Sequence, residues 1–441
     1  MKIYEDKSEF PTFSGDFKIK NWVHPELHET MLPHDSVPRL NLHRESVPLN
    51  PSKDALILDL SLTEGNLWKQ LDEEEIVYYY DLLRKLSGSR GVIRFLEVPG
   101  EENLLLRLTE KNYQFPELIA RVDAGAKLDK LPTETLVSDF AGSDFTLQSF
   151  SHSSREDEAK AIKTFIQKCS DAGKMPVVRL LDVSRASIDS YLLPLFQSFL
   201  KISNERHLPV RVRLVDSLGL WSPHPNAGFP RGLPHLLHTL INKCGYPGEW
   251  LSVEAANDTA MAAAVVQSAW LYGAGVAGVT LGGRGQRAGL SSMESALAEL
   301  LAIRADSPRI NLALIRDLEN LVTASGKVPK LSNHAPYLGD SIFQHRRCGN
   351  ENIANAYDPS LVWGGQVSRI LSPHSTRQDL VNWLKDHLGR GVILTTEHPG
   401  VVKMIDWVNL CKQDPLDNKE VLRQARRFLP GFFVMEGLNN D

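Results

Sequence analysis

Two glutamates, a glycine-rich turn and a histidine pair are the residues of this chain whose types and spacing could do chemistry. Glu64 follows the first predicted apolar strand, and Glu254 lies near the end of the seventh. Two carboxylates at the same end of a sheet could bind a metal ion that prefers oxygen ligands, or could act in acid–base catalysis. The alternative is a pair of structural carboxylates that face solvent or an arginine such as Arg94 or Arg185.

The glycine-rich turn and the histidine pair each have a structural alternative. Residues 282–285 read Gly-Gly-Arg-Gly after the last predicted strand, which is a common phosphate site in parallel barrels. Glycine is also used simply to turn a strand tightly into a helix, so both interpretations stay open. His235 and His238 share one face of a predicted helix. That helix is expected in an outer ring without a third ligand, which favours a structural or surface role.

The elements that must position these residues are short apolar strands that alternate with amphipathic helices from Ala55 onward. Eight such strands, most followed by a helix, predict a closed (β/α)8 barrel covered on both faces. Between Val122 and Thr146 the pattern places no helix. The predicted strands are Leu56–Leu60, Val92–Val98, Glu117–Val122, Phe145–Phe150, Val177–Asp182, Arg211–Asp216, Leu251–Ala255 and Gly278–Leu281, and the clearest helices are Glu73–Leu86, Arg155–Cys169, Asp189–Asn204, Leu233–Asn242, Thr259–Tyr272 and Ser292–Ile303.

The chain is predicted to have three parts. Residues 1–54 are rich in proline, histidine and charge and predict an extended N-terminal arm. Residues 55–308 are predicted to form the barrel. Residues 309–441 are predicted to form a post-barrel linker and C-terminal helical subdomains, because their pattern is helical and less regular than that of the barrel.

Composition limits the kinds of partner. The chain has 441 residues and a net charge of −5, with basic residues scattered along it, which argues against nucleic acid or an anionic membrane as the main partner. Its four cysteines lie far apart and suit neither a zinc knuckle nor a disulfide framework. No apolar run reaches the length of a membrane helix. We therefore expect a cytoplasmic protein without a membrane or nucleic-acid partner.

A series of short motifs resembles the Re-citrate synthase, homocitrate synthase and 2-isopropylmalate synthase family, whose barrel is similar to that of HMG-CoA lyase. The motifs occur in order and with similar spacing from about residue 55 to the C-terminal region. They are G-V-I-R (91–94), F-P-E (115–117), S-D-F (143–145), D-V-S-R-A (182–186), R-L-V-D-S-L-G (213–219), P-H-P (223–225), F-P-R-G-L-P (229–234), G-Y-P-G-E-W-L (245–251), A-N-D (256–258), A-W-L-Y-G (269–273), G-Q-R-A-G (285–289) and H-P-G-V-x-K (398–403).

The resemblance implies a reaction and an assembly. Members of the family join an acyl-CoA to a 2-oxo acid, and a divalent metal polarises the carbonyl group of the oxo acid. A general base forms the acyl-CoA enolate, which attacks that carbonyl, and hydrolysis of the thioester follows. The resemblance also implies dimers whose post-barrel segments cross to the other subunit, so a homodimer or a heterodimer with a family relative is expected.

The positions that match the metal ligands of the family are substituted. Thr63 and Glu64 stand where the family has the Arg and Asp of an Arg-Asp-Gly loop. At the end of the seventh strand, Glu254 and Ala256 stand where the family has two histidine ligands. Leu290 stands where an asparagine ligand is expected. Ala256 has no ligating side-chain atom, so the resemblance implies a degenerate site without a bound cofactor. The alternative is a divalent Mg, Mn or Zn ion with acyl-CoA as the substrate.

Other family positions have changed as well. Leu181 replaces an expected glutamate, Thr146 replaces a histidine, and residues 349–351 align with a loop that carries a catalytic histidine in relatives. We take Glu64, Glu254 and Arg185 as candidate catalytic residues. The candidate substrate-binding residues are Arg94, Glu97, Asp144, Ser217, Asn257 and Arg287.

Three functions are compatible with this pattern. The chain could be a pseudoenzyme, whose barrel serves as a binding module or as a partner subunit. It could be a repurposed enzyme that binds a small carboxylate or acyl-CoA in the barrel mouth and uses Glu64, Glu254 and Arg185 without the metal. It could also be an active acyltransferase whose metal is held by Glu64, Glu254 and Asn257. Losses at several separate loops favour the pseudoenzyme, because these positions share one task.

Overall fold

The computed structural model of the chain contains two compact units. One is formed by residues up to 310 together with 320–328, and the other by 311–319 together with the residues from 329 onward. The domain division at residues 54 and 308 stays a prediction. The structure describes residues 37–38, 40–304, 310–345, 359–365, 367–388 and 393–432.

The first unit contains a closed barrel of eight parallel strands. Each strand is hydrogen-bonded to the next in chain order, and the eighth pairs with the first. This arrangement confirms the predicted (β/α)8 barrel, and the last strand begins two residues earlier than predicted. The strands are β1 (Leu56–Asp59), β2 (Ile93–Pro99), β3 (Glu117–Arg121), β4 (Thr135–Ala141), β5 (Met175–Leu181), β6 (Arg211–Asp216), β7 (Leu251–Ala255) and β8 (Val276–Val279).

The prediction of the fourth strand at Phe145–Phe150 was wrong. This segment lies instead in a short α-helix, Asp144–Thr146, and in the π-helix that continues it, Leu147–Ser151, with Ser143 before the first residue. The Ser143 side chain accepts a hydrogen bond from the Thr146 backbone amide at 3.2 Å, and the Thr146 hydroxyl accepts one from the Ser143 amide at 3.0 Å. Such a reciprocal cap starts a helix whatever the alternation of the residues that follow. The strand lies upstream in β4, within the stretch where the pattern had placed no helix.

The helices of the barrel surround the strands, and several of them begin at a residue whose side chain caps the helix. The first barrel helix is preceded by Asp72, whose carboxylate accepts from the Glu75 amide at 2.9 Å while Glu75 accepts from the Asp72 amide. The α-helices among the described residues are α1 (Glu73–Ser87), α2 (Glu102–Thr109), α3 (Asp144–Thr146), α4 (Arg155–Asp171), α5 (Leu193–Arg206), α6 (Leu233–His238), α7 (Ala262–Leu271), α8 (Met293–Ile303), α9 (Leu314–Ala324), α10 (Pro359–Trp363), α11 (Arg377–Leu388), α12 (Pro399–Leu410) and α13 (Asn418–Phe428).

The interior of the barrel has an apolar layer and a charged layer. Side chains of a strand alternate between its two faces, so residues two apart point the same way. On four strands, an inward-facing apolar residue is followed two positions later by a charged residue, which lies nearer the carboxyl end of the strand. The apolar members are Phe95, Ile119, Val137 and Val177, and the charged members that follow them are Glu97, Arg121, Asp139 and Arg179.

The second unit has its own apolar core. Helices α11, α12 and α13 bury Trp383, Met404, Val408 and Val421 against one another. Two very short strands, Gln344–His345 and Ser368–Arg369, pair in parallel elsewhere in this unit. In the parts of the chain that the structure describes, no helix is long and apolar enough to cross a membrane.

Part of the predicted N-terminal arm lies within the described residues. The His43 amide donates to the Asn226 carbonyl at 2.7 Å, and the Ser52 amide donates to the Trp270 carbonyl at 2.8 Å. The ring of His43 lies 4.9 Å from the ring of His235, between centroids. Residues 41–52 are therefore bonded to the same unit as the barrel.

Candidate functional site

The turn after β1 places Glu64 over the carboxyl ends of the strands. The Gly65 amide donates to the Leu60 carbonyl at 3.1 Å, which closes the turn tightly. A Cβ atom on Gly65 would lie 2.5 Å from the Ser61 carbonyl oxygen, so this close approach requires glycine. The Glu64 carboxylate is thereby directed onto Arg121 and Arg179.

Four charged side chains form a closed ring at this end of the barrel, which we call the mouth ring. Arg121 pairs with Glu64 through Nη1 and with Asp139 through Nη2, the latter at 2.5 Å. Arg179 pairs with Asp139 through Nη1 at 3.0 Å and with Glu64 through Nη2 at 3.1 Å. Charges of opposite sign alternate around the ring, and each member contacts two others.

A second layer of ion pairs lies beneath the mouth ring. Arg179 donates to both oxygens of Glu254, from Nε at 3.0 Å and from Nη2 at 2.6 Å. Arg213 lies 3.7 Å from Glu254 and 2.6 Å from Glu97, and Arg121 lies 3.6 Å from Glu97. Side chains of Glu97, Arg213 and Glu254 are almost completely buried. Three guanidinium groups thus face four carboxylates inside the barrel.

Burial and charge act in opposite directions on these carboxylates. Burial alone would raise the pKa of Glu64, but the charges of Arg179 and Arg121 outweigh it and hold the pKa below its ordinary value. The pKa of Asp139 is lowered in the same way. Burial raises the pKa of Glu254, whose side chain is only 1% exposed, and Arg179 offsets this only partly. The mouth ring therefore favours ionised carboxylates at its rim.

The residues that replace the metal ligands of the family do not fit a divalent metal. Arg179 Nη2 lies 3.1 Å from Glu64 and 2.6 Å from Glu254, so a guanidinium group occupies the space between the two carboxylates. Ala256 and Leu290 form a backbone bridge and pack in the apolar core of the barrel. Among the described residues, no group of three or more His, Cys, Asp or Glu side chains could hold a metal ion.

Of the predicted site residues, the structure brings Glu64, Glu97 and Glu254 together. Arg185 lies on the loop after β5, where its Nε donates to both oxygens of Asp182 at 2.9 Å. Its guanidinium carbon lies 4.2 Å from the centre of the Phe145 ring. These contacts brace two neighbouring loops.

The remaining candidates lie outside the mouth ring. Asp144 pairs with Arg155, and Arg287 pairs with Asp258 at 2.8 Å and donates to the Ser217 carbonyl. Asn257 donates its amide to Gly289 at 2.8 Å. Arg94 lies at the opposite, amino-terminal end of β2, 3.9 Å from Glu117. Their substrate-binding roles stay predictions, and the segment 349–351 lies outside the described residues.

Sequence reasoning missed four members of this charged network. Arg121, Arg179 and Arg213 lie within predicted strands, and Asp139 lies between Val122 and Phe145, where no strand was predicted. A charge on a strand buried on both faces must meet an opposite charge, because an unpaired buried ion is costly. That rule would have selected the three arginines, whereas Asp139 could be recognised only once β4 was placed.

The glycine-rich turn is held by a carboxylate of the chain itself. The Gly282 amide donates to Glu294 at 3.1 Å, and Glu294 is buried. Gly282 and Gly283 have φ values of 65° and 66°, which require glycine or a strained residue. The turn therefore has a sufficient structural reason for its glycines, and its predicted phosphate contact stays a prediction.

Asp59 at the end of β1 is a buried carboxylate with three donors. It accepts from the Ser61 amide at 2.9 Å, the Ser61 hydroxyl at 2.5 Å and the Tyr79 hydroxyl at 2.7 Å. Burial raises the pKa of Asp59 from 3.8 to about 6, although these donors oppose the rise. Its contribution to stability is fully present below about pH 4 and is lost as the pH rises through about 6.

The Asp59→Asn variant should reveal this pH dependence. From pH 4 to pH 7, the free energy of unfolding of the unmodified protein relative to the variant should fall by roughly 3 kcal/mol, at about 1.4 kcal/mol per pKa unit. Urea unfolding of both proteins at a series of pH values measures this difference. The exposed Asp171→Asn variant serves as the control for the loss of a carboxylate as such. Parallel curves for Asp59→Asn would refute the prediction.

The fold and the site together define a (β/α)8 barrel whose carboxyl end is filled by ion pairs among its own side chains. The chain is 23% identical over 443 residues to the citrate (Re)-synthase of Syntrophus aciditrophicus (strain SB), covering 95% of this chain and 70% of that protein. It is 24% identical over 391 residues to the citrate (Re)-synthase of Clostridium kluyveri, covering 85% and 86%. It is 23% identical over 416 residues to the 2-phosphinomethylmalate synthase of Streptomyces hygroscopicus, covering 89% and 92%.

These relatives confirm the resemblance that the motifs predict. The chain resembles the Re-citrate synthase, homocitrate synthase and 2-isopropylmalate synthase family, and it is a homologue of Claisen-type acyltransferases. No protein-family model matches it. A solved hydroxymethylglutaryl-CoA lyase from Pseudomonas aeruginosa is similar with a TM-score of 0.49 and 14% identity, over 66% of this chain and 99% of that one.

Proposed function

We propose that this chain is a homologue of the Re-citrate synthases that does not condense an acyl-CoA with an oxo acid, and that it acts as a partner subunit. One observation supports this most strongly. The Arg179 guanidinium lies between Glu64 and Glu254, the two carboxylates that replace metal ligands of the family. A tethered organic cation therefore takes the place in which a divalent metal would be needed.

A guanidinium group does not replace the chemistry of that metal. A bound divalent ion contributes several kcal/mol by stabilising negative charge on a carbonyl oxygen. The guanidinium group of Arg179 is instead paired with Glu64, Glu254 and Asp139. A 2-oxo acid would have to displace these partners before it could reach a positive charge. We therefore expect condensation at a negligible rate.

The preserved fold points to a role that depends on the barrel rather than on catalysis. The barrel is closed and its apolar layer is complete, although family positions on several separate loops have changed. A homodimer or a heterodimer with a family relative is the form of partnership that the resemblance implies. We place this role in the cytoplasm.

A thiol-release assay tests the loss of condensation. The purified chain is mixed with acetyl-CoA, a panel of 2-oxo acids and Mg²⁺, Mn²⁺ or Zn²⁺, and free coenzyme A is followed. We expect no release above the rate without enzyme, while the citrate (Re)-synthase of Clostridium kluyveri provides the positive control under the same conditions. Sustained, oxo-acid-dependent release would show an active acyltransferase and overturn the proposal.

The partnership is tested separately by measuring mass in solution. Light scattering after size exclusion is applied to the chain alone and to a mixture with a relative that retains both histidine ligands. A stable complex of the two supports the proposal, whereas a chain that associates only with itself counts against the role of partner subunit. A chain that remains monomeric at micromolar concentration in both experiments contradicts it.

A repurposed binding site is the second candidate function. Arg121 in the mouth ring is 26% exposed, and Glu64 and Asp139 are also partly exposed. Solvent therefore reaches the rim of the ring even though its deeper members are buried. A small ligand could bind there without a metal.

A further inference from the structure

Glu64 differs from the other carboxylates of the network because it lies on a turn and not on a strand. Glu97, Asp139 and Glu254 stand on barrel strands, whose positions are fixed by hydrogen bonds to both neighbours. Glu64 stands on the turn after β1 and reaches the ring only through its side chain. Rotation of the Glu64 side chain would therefore remove its carboxylate and leave the rest of the ring in place.

Two guanidinium groups converge on the Glu64 carboxylate. Arg121 Nη1 and Arg179 Nη2 both contact its Oε1 atom, the latter at 3.1 Å. Arg121 is fixed from its other side by Asp139 at 2.5 Å, and Arg179 by Glu254 at 2.6 Å. The two arginines are therefore held in position by strand residues, independently of Glu64. Such a preorganised pair of donors suits a carboxylate.

Burial makes this arrangement more than a surface ion pair. The Arg179 side chain is only 4% exposed, so the loss of Glu64 would leave its buried positive charge with one carboxylate fewer. Arg121 is 26% exposed and provides the approach from solvent. A carboxylate that entered from the mouth would meet an exposed guanidinium first and a buried one behind it.

We propose that Arg121 and Arg179 form a binding site for a small carboxylic acid, and that Glu64 is its built-in occupant. The ligand carboxylate takes the position of the Glu64 carboxylate when the Glu64 side chain rotates toward solvent. This inference rests on the proposed function, because a condensing enzyme would need a metal ion beside Glu64. Glu64 acts as a tethered competitor, which weakens the apparent affinity for any free carboxylate.

The Glu64→Ala variant tests the site with acetate as the probe. Removal of the tethered competitor should increase the affinity for acetate by about tenfold or more over the unmodified protein, because competition within the chain is at high effective concentration. Calorimetric titration and the acetate-dependent shift in the unfolding temperature measure this change. Sodium chloride at equal ionic strength corrects for screening.

Two further variants show whether the named arginines are responsible. Arg121→Ala in the Glu64→Ala background should abolish the gained affinity. Asp258→Ala serves as the control, because it removes the carboxylate that pairs with the exposed Arg287. It should gain no saturable acetate binding, because a single exposed guanidinium does not offer the converging pair of donors that Arg121 and Arg179 form. Circular dichroism of each variant establishes that the barrel is folded. If Glu64→Ala is unfolded, Glu64→Gln keeps the side-chain volume and should be stabilised by acetate more than the unmodified protein is.

The results separate this site from the proposed function. Folded Glu64→Ala that binds acetate no better than the unmodified protein would overturn the carboxylate site, as would gained affinity that survives Arg121→Ala. Oxo-acid-dependent thiol release by the unmodified protein would overturn the proposed function instead. The carboxylate site is thus tested by acetate binding to the Glu64→Ala variant, and the proposed function by thiol release from the unmodified protein.

Discussion

Replacement of Arg179 by alanine is expected to lower the free energy of unfolding by about 3–5 kcal/mol, the cost of removing one partner of a buried ion pair. Arg179 pairs with Glu254 at 2.6 Å, with Asp139 at 3.0 Å and with Glu64 at 3.1 Å. In the variant, Glu254 would stay buried without the two hydrogen bonds that it accepts from Arg179. The Arg179→Lys variant keeps the charge but cannot reproduce the fork of donors, so its loss should be smaller but still measurable.

Urea unfolding measures the effect of Arg179→Ala, and Arg107→Ala provides the control. Arg107 pairs with Glu73 and Glu74 on the outer surface between α1 and α2. Exposed pairs of this kind contribute little to stability, because solvent and salt screen their charges. A loss for Arg179→Ala no larger than that for Arg107→Ala would mean that the charged network does not hold the barrel together.

Glu97→Ala is expected to be similarly costly, by about 3–5 kcal/mol, because it leaves the buried Arg213 without its nearest carboxylate. The two side chains lie 2.6 Å apart and neither is exposed to solvent. When both residues are replaced by apolar ones, the ion pair is lost but no unpaired charge of Arg213 is left in the barrel. The Glu97→Leu, Arg213→Met double variant should therefore be more stable than Glu97→Ala.

The comparison of single and double variants decides what this pair is for. Free energies of unfolding are measured for the unmodified protein, each single variant and the double variant in one series. Recovery in the double variant identifies the pair as a structural filling of the barrel. A double variant less stable than both singles would contradict this account and would show that the charges themselves are needed.

Most of the fold could be predicted from sequence because seven of the eight strands have a clear apolar pattern. β5, for example, reads M-P-V-V-R-L-L and is bounded by helical segments, as a strand buried on both faces should be. β4 could not be placed in the same way. Its sequence T-L-V-S-D-F-A has two polar residues in the middle, and the following segment Phe145–Phe150 imitates strand alternation more closely.

The site could be predicted only in outline. Family motifs led to Glu64 and Glu254 and to the loss of ligating atoms at Ala256 and Leu290, all of which depend on residue type alone. They did not lead to Arg179, which stands at an ordinary strand position and has no counterpart among the motifs. Its role arises from strand register, since Arg179 lies beside Asp139 on β4 and beside Arg213 on β6. Pairing across a barrel depends on which residues face inward at one level, and short motifs do not encode that.

We propose that the Arg179 guanidinium takes the place of a metal ion between Glu64 and Glu254. Crystals soaked in MnCl₂ and measured near the manganese absorption edge test it directly, because anomalous density marks a bound ion whatever its activity. We predict no anomalous peak between these carboxylates and continuous density from Arg179 to both. A strong peak bonded to Glu64 and Glu254, with Arg179 turned away, would contradict the account.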